Sequence, residues 1–100
     1  MYWDEDITIK NNDIFREALK KLIDSEHRNL LLNMKETHYI NSAGIGAIAG
    51  LAIEARKDQK ELVIAEIQTE VKEIMDIVKL GTFIKIVENN EEAFQYFKRM

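Results

Sequence analysis

Ser42 is the residue of this chain whose type and position could carry regulatory chemistry. It lies in the segment Tyr39–Leu51, where the end of a predicted strand passes directly into a predicted helix. The segment contains three glycines and no charged residue. Unpaired N–H groups and a positive macrodipole at a helix N-terminus stabilise an anion there, so a phosphate on Ser42 would be favoured. Phosphorylation would add about −1.5 to −2 charges. Ser42 or Asn41 is also a natural N-cap, and spacing alone favours capping over modification for Ser42.

Two other patterns could indicate sites, and neither does. Gly44-x-Gly46-x-x-x-Gly50 is superficially similar to a dinucleotide-binding loop, but its third glycine comes one residue late and the pattern begins within the helix. His27 and His38 lie far apart, with no second ligand at metal-binding spacing. No nucleophile has a candidate base partner. The sequence therefore predicts no catalytic residue, no metal site and no cofactor, and we expect a protein that is not an enzyme.

The composition is typical of one small soluble domain. A chain of 100 residues, 46% hydrophobic and 32% charged, is expected to form a single domain over residues 1–100 with one modest core. The net charge of −4 gives no positive surface, so neither nucleic acid nor a membrane is expected as a partner. Cysteine is absent, the acidic start is unlike a signal peptide, and the uncharged stretch Ala43–Ile53 is far shorter than a bilayer span. These features predict a cytoplasmic protein.

Helix and strand patterns alternate along the chain. The predicted elements are, in order, a strand at Asp6–Lys10, a helix capped by Asp13, a central strand within Arg28–Met34, a helix from Asn41–Ser42 to about Gln59, a strand at Glu61–Ile67, a helix capped by Thr69 that runs to about Lys79 with Gly81 as the stop signal just past its end, a strand at Phe83–Val87, and a helix capped by Asn90. This order predicts an α/β fold with about four mostly parallel strands and helices packed mainly on one face. The glycines of the second helix are expected to let it lie close to the sheet.

The block INSAGIGAIAGL resembles the signature Asp-Ser-(Ser/Thr/Ala)-Gly-(Leu/Ile)-Gly of STAS domains, the fold of the bacterial anti-sigma factor antagonists. The preceding LLLNMKETHYI and the later VKEIMDIVKLG, FIKIV and NNEEAFQYF are similar to the same family, so the resemblance covers residues 13–99. Ser42 matches the serine that is phosphorylated in the family, and Asn41 stands where the family usually has Asp. Residues 1–12 are abbreviated relative to the family's first two strands. Asn12 or Asp13 falls near an acidic loop residue of the family.

The resemblance implies a partner-switching regulator of transcription. An unphosphorylated antagonist docks on an anti-sigma factor that is also a serine kinase, phosphorylation of Ser42 ends the interaction, and a phosphatase resets it. A new dianion in a packed interface acts through desolvation and like-charge repulsion. The resemblance implies a partner-binding surface made of Asn41, Ser42, Ala43, Gly44, Ile45 and Gly46.

Two alternatives stay open at this point. The chain could be a STAS scaffold subunit of a transporter or signalling complex, with Ser42 as a helix cap only. It could also bind a small ligand beneath the helix segment Gly44–Gly50, for which only the fold gives support. The sequence leaves the oligomeric state open, including a homodimer.

Overall fold

A computed structural model describes residues 1–82 and 84–99 of the chain. In chain order the elements are α1 (Asn12–Ile23), β1 (Asn29–Asn33), α2 (Ser42–Lys57), β2 (Glu61–Ala65), α3 (Thr69–Ile77), a 3-10 turn (Leu80–Thr82), β3 (Lys85–Val87) and α4 (Asn90–Lys98). Phe83, the first residue of the predicted strand Phe83–Val87, lies outside the described residues. From α1 onward the observed order is the predicted alternation, and the α/β class is confirmed.

The strands form a parallel sheet in the order β1-β2-β3. The free edge of β1 pairs with the first residues of the chain. The Trp3 N–H donates to the Asn33 carbonyl at 3.0 Å, and the Asn33 N–H donates to the Met1 carbonyl at 2.8 Å. Residues 1–3 therefore lie where a fourth parallel strand would lie, which agrees with the predicted sheet of about four strands.

The predicted strand at Asp6–Lys10 is wrong. Only Ile7 pairs, in an isolated parallel bridge to Ile40, and residues 9–11 form a turn. Ile7 is fully buried, whereas its neighbours along the chain are not. The alternating pattern of this segment thus arises from one buried side chain that is flanked by a turn.

Side chains of successive strand residues point to opposite faces of the sheet and build two cores. The larger core combines strand residues with one large apolar residue from each of three helices: Leu30, Leu32, Leu62 and Ile64 with Phe15, Ile48 and Met75. The smaller core lies under α4 and contains Val63, Ala65, Val87 and Ala93. Three helices cover one face and one covers the other, so the prediction of helices mainly on one face is confirmed.

The predicted helix caps are wrong at three helices by one residue or a few. Asp13 lies inside the first turn of α1, and Thr69 is the first residue of α3 and not its cap. Asn89, and not Asn90, caps α4, because its side chain accepts a hydrogen bond from the Glu92 N–H at 2.8 Å. The polar residue that starts each helix pattern therefore lies within one turn of the observed start.

The end of α3 lies close to the predicted one. The helix stops at Ile77, two residues before the predicted end at about Lys79, and Gly81 lies in the 3-10 turn. Lys79, and not Gly81, takes the left-handed conformation that commonly ends a helix, with φ of 61°. A non-glycine residue adopts this conformation at an energetic cost, so no residue type in the sequence indicated it.

Candidate functional site

Ser42 is the first residue of α2, and it is exposed. The residue before it, Asn41, has an extended backbone, and its side-chain oxygen accepts a hydrogen bond from the Gly44 N–H at 2.8 Å. Asn41 is therefore the N-cap of α2. The capping role that spacing favoured for Ser42 belongs to its neighbour.

The start of α2 is fixed by bonds to the N-terminal segment. The Ile7 N–H donates to the Tyr39 carbonyl at 2.9 Å, and the Asn41 N–H donates to the Ile7 carbonyl at 2.9 Å. The Asp6 carboxylate accepts from the N–H groups of His38 and Tyr39 at 2.7 and 3.2 Å. Since four hydrogen bonds join the two segments, the first residue of α2 is held in a defined position.

Gly44 is the point of closest packing between α2 and this segment. A Cβ atom at Gly44 would lie 2.7 Å from Ile7 Cγ2 and 2.8 Å from Ile40 Cγ1, and both isoleucines are buried. Gly44 therefore allows a close approach of α2, but to Ile7 and Ile40, which form a bridge outside the three strands, and not to the sheet as predicted. The close approach to the sheet is not found at Gly44. The prediction is also wrong for Gly46 and Gly50, where a Cβ would meet nothing within 4 Å.

The outer surface of α2 carries an uncharged strip, which consists of Ser42, Gly46, Gly50 and Ile53. These residues are exposed and follow one another at spacings of three or four, so they lie on one side of the helix. Ile53 is 58% exposed. The first charged residue of the helix is Glu54. Removing water from a strip without charges or long side chains costs little free energy. A phosphate on Ser42 would place a dianion at the end of the strip, and a dianion is costly to desolvate.

The structure brings the six predicted partner-binding residues together at the start of α2, with unequal exposure. Ser42 and Gly46 are exposed, whereas Asn41, Ala43 and Ile45 are half-buried. The sixth residue, the buried glycine at position 44, supports the site from beneath. The predicted surface is therefore narrower than the sequence block.

The two predicted loop residues lie at the start of α1. Asp13 is exposed and forms an ion pair with Arg16 at 3.5 Å. Asn12 is half-buried, and one atom of its amide group lies 3.0 Å from the carbonyl oxygens of both Thr8 and Ile9, which assigns that atom as the donating nitrogen. Asn12 thus shapes the loop, and Asp13 presents the loop's carboxylate to solvent.

Sequence reasoning missed two exposed apolar side chains beside this site. Ile9 is 88% exposed and Tyr39 is 51% exposed. Both belong to the segments that are hydrogen-bonded to each other before α2. An isoleucine between the polar residues Thr8 and Lys10 was the available indication, and it was assigned to a strand.

A groove next to α2 lies away from Ser42. The groove of about 320 Å³ next to α2 is lined by Ala49, Ala52, Ile53, Arg56, Lys57 and Leu80, toward the far end of the helix from Ser42. Across residues 1–82 and 84–99, no three His, Cys, Asp or Glu side chains are placed to hold a metal ion. Within the same ranges no helix has the length and apolarity needed to cross a membrane.

The fold and the site together define a class of protein. The fold is a parallel sheet with crossover helices, and an exposed serine lies where the connection from β1 enters α2. The STAS domain model matches residues 1–93 of the sequence. The chain belongs to the STAS domain family.

A curated relative and three solved structures are similar to this chain. BtrV of Bordetella bronchiseptica, named as an anti-sigma factor antagonist, is 27% identical over 88 residues, which are 88% of this chain and 76% of BtrV. A structure named as an anti-sigma factor antagonist from Thermotoga maritima has a TM-score of 0.85 at 15% identity and covers 93% of this chain and 80% of that one.

The other two structures are more distant. The anti-sigma factor antagonist SpoIIAA in its unphosphorylated form has a TM-score of 0.79 at 13% identity, over 99% of this chain and 86% of its own. The STAS domain of a SulP transporter from Vibrio cholerae has a TM-score of 0.73 at 12% identity, over 99% and 83%. At these identities the structural likeness shows the fold.

Proposed function

We propose that this protein is an anti-sigma factor antagonist whose binding is controlled by phosphorylation of Ser42. The observation that carries the proposal is that two adjacent residues at the start of α2 differ in role: Asn41 caps the helix, and Ser42 is exposed. A phosphate could be added to Ser42 without breaking the cap. The names of BtrV and of two structural neighbours support the class of partner.

The unphosphorylated protein binds the anti-sigma factor through the start of the uncharged strip on α2. Contact there removes water from small and apolar groups, which favours association. Phosphorylation places about −1.5 to −2 charges at the end of the strip, and docking would then have to desolvate a dianion. In the free protein the same dianion faces water and the positive end of α2, so the fold is retained while the complex is lost.

In this proposal the protein acts by binding and not by catalysis. Its partners are an anti-sigma factor that is also an ATP-dependent serine kinase, and a phosphatase that removes the phosphate. The protein acts in the cytoplasm, requires no cofactor, and makes no contact of its own with nucleic acid or membrane.

A second candidate is a STAS subunit that does not switch, as part of a transporter or a signalling complex. The likeness to the SulP transporter domain is the observation that supports it. Under this alternative, Ser42 is neither phosphorylated nor sensitive to charge.

Phosphorylation by the cognate anti-sigma factor separates the two candidates. Wild-type protein and Ser42→Ala would be incubated with the kinase and ATP, and their intact masses measured. We expect one phosphate on the wild type, none on Ser42→Ala, and weaker binding of the phosphorylated protein to the kinase in calorimetry. An unmodified wild type, or a phosphoprotein that binds as tightly as the unmodified one, would contradict the proposal and favour the scaffold.

A further inference from the structure

In the turn Thr8–Asn11 before α1, the side chains of Thr8 and Asn11 bond to the backbone, whereas those of Ile9 and Lys10 are exposed. The Asn11 side chain accepts from the Thr8 N–H at 2.8 Å and donates to the Asp6 carbonyl at 2.7 Å. The Thr8 hydroxyl accepts from the Lys10 N–H at 3.2 Å. The apolar side chain of the turn, Ile9, is 88% exposed.

Further hydrogen bonds fix the backbone on both sides of Ile9. The N–H groups of Asn11 and Asn12 donate to the Thr8 carbonyl at 3.1 and 2.8 Å, and the Asn12 amide reaches the Ile9 carbonyl at 3.0 Å. Ile9 is therefore presented to solvent by a pre-organised backbone. An anchor held in this way loses little conformational entropy when a partner binds.

Exposure alone would not single out Ile9, because isolated apolar residues are common on protein surfaces. Burying an isoleucine side chain that is fully exposed can raise an affinity by about tenfold to a hundredfold. The turn combines this exposure with a rigid backbone and with a position beside the proposed docking site.

Ile9 lies next to the start of α2. The Ile7 carbonyl accepts from the Asn41 N–H, and Ile9 follows Ile7 by two residues, which is roughly 7 Å of chain. Tyr39, half-exposed, lies on the paired segment. A standard interface buries about 800 Å² on each partner, a patch roughly 30 Å across. One partner surface can therefore cover both Ser42 and Ile9.

We infer that Ile9 is a specificity-determining anchor of the anti-sigma factor interface, inserted into an apolar pocket of that protein. The inference rests on the proposed function. The occupant is the same partner that covers Ser42, because Ile9 follows by two residues Ile7, whose carbonyl accepts from the N–H of Asn41 directly before Ser42. Interfaces concentrate their binding energy in a few such side chains at well-packed, desolvated points.

The test compares two isoleucines of similar exposure, Ile9 and Ile77, the latter 80% exposed at the end of α3. Binding of Ile9→Ser and Ile77→Ser to the cognate anti-sigma factor would be measured by calorimetry. We expect at least a tenfold loss of affinity for Ile9→Ser and no change for Ile77→Ser. Urea unfolding should give both variants the stability of the wild type. An Ile9→Ser protein that binds within twofold of the wild type would overturn the inference.

Two further measurements test the mechanism. The affinity lost in Ile9→Ser should be the same at low and high salt, because an apolar contact is not screened by ions. Asn11→Ala, which removes two hydrogen bonds of the turn and leaves Ile9 in place, should also weaken binding; unchanged affinity would show that rigid presentation is irrelevant.

The outcome distinguishes this inference from the proposed function. If wild-type protein binds the anti-sigma factor and Ser42→Asp does not, while Ile9→Ser binds normally, only the anchor is refuted. If wild-type protein itself shows no binding, the proposed function fails and the anchor fails with it.

Discussion

The side-chain oxygen of Asn41 and the backbone amide of Gly44 are joined by a hydrogen bond of 2.8 Å, which leaves the serine between them free of the capping role. Most helix N-caps are Ser, Thr, Asp or Asn, and here two such residues stand in succession. Because the asparagine takes the cap, stability and regulation are assigned to adjacent residues and can be altered separately.

The first prediction follows from this division. Asn41→Ala should lower the free energy of unfolding by about 1 kcal/mol, because the Gly44 N–H loses its acceptor. Ser42→Ala should change it by less than about 0.5 kcal/mol, as is usual for an exposed residue. Urea denaturation followed by circular dichroism measures both. Equal losses in the two variants would show that Ser42 shares the cap.

The second prediction uses the glycines of α2 as internal controls. Gly44→Ala places a Cβ within 2.8 Å of both Ile7 and Ile40, so overpacking should cost about 1–3 kcal/mol and exceed the gain in helix propensity. Gly50→Ala meets no atom within 4 Å and should stabilise the protein by about 0.5–1 kcal/mol. The sign of the change in unfolding free energy is therefore opposite at the two positions. A stabilised Gly44→Ala protein would mean that the isoleucines can move aside.

Much of the fold could be predicted from the sequence because its signals are local. The run Leu30–Leu32 indicates a buried strand by itself, and alternation of strands and helices fixes the parallel connections. The position of residues 1–3 beside β1 could not be predicted. Trp3 packs against Phe15, with 4.9 Å between the centroids of the two rings, and no pattern in its own segment indicates this contact.

The location of the candidate site could be predicted from the sequence, but the contacts and exposure of its residues could not. Ser42 could be located from its motif. The motif does not show that Gly44 touches two isoleucines while Gly46 faces open space, because that depends on which side of α2 meets the N-terminal segment. The exposure of Ile9 could not be predicted for a similar reason. The Asn11 side chain closes the turn with two hydrogen bonds, and the hydrophobic periodicity of the sequence does not indicate such bonds.

The third prediction concerns a lysine that closes the end of α1. Lys60 Nζ donates to the carbonyls of Ile23 and Ser25 at 2.5 and 2.6 Å, and so satisfies acceptors that a helix end leaves unpaired. Lys60→Met should lower the free energy of unfolding by about 1.5–3 kcal/mol, the usual range for bonds to a charged group. Lys72→Met, on the exposed surface of α3, is the matched control and should lie within about 0.5 kcal/mol of the wild type. Similar losses of unfolding free energy in Lys60→Met and Lys72→Met would show that Lys60 does not cap the end of α1.

The fourth prediction is a pH dependence that comes from Tyr96. Its hydroxyl donates to Glu61 Oε1 at 3.0 Å, which joins α4 to β2. The pKa of the Tyr96 phenol is raised above its ordinary value, first by desolvation and then by the hydrogen bond and negative charge of Glu61. The folded protein therefore holds this proton more tightly than the unfolded chain does. The resulting stability is complete below pH of about 10 and is lost as the pH rises through the folded-state pKa.

Two variants isolate this contribution. The difference in unfolding free energy between wild type and Tyr96→Phe should be constant up to pH of about 10. Above that pH the wild type should lose stability relative to Tyr96→Phe. Glu61→Gln should lower the pKa of the Tyr96 phenol toward its ordinary value in a spectrophotometric titration. The part of the absorbance change that belongs to Tyr96 is the part that is missing in Tyr96→Phe. A phenol pKa that does not move in Glu61→Gln would show that Glu61 has no part in the shift.

The last prediction is that one charge at position 42 has opposite effects on folding and on binding. Ser42→Asp places a carboxylate in the first turn of α2, which has no acidic residue, so the helix dipole should stabilise the folded protein by about 0.3–1 kcal/mol at low salt. The same charge should weaken binding to the anti-sigma factor, because docking must desolvate it at the end of an uncharged strip. Ser42→Asn, similar in size and neutral, should show neither effect. Urea denaturation and calorimetry on the same three proteins measure the pair of changes. A Ser42→Asp protein that is both less stable and weaker in binding would mean that the lost affinity reflects damage to α2, and charge control at Ser42 would have to be abandoned.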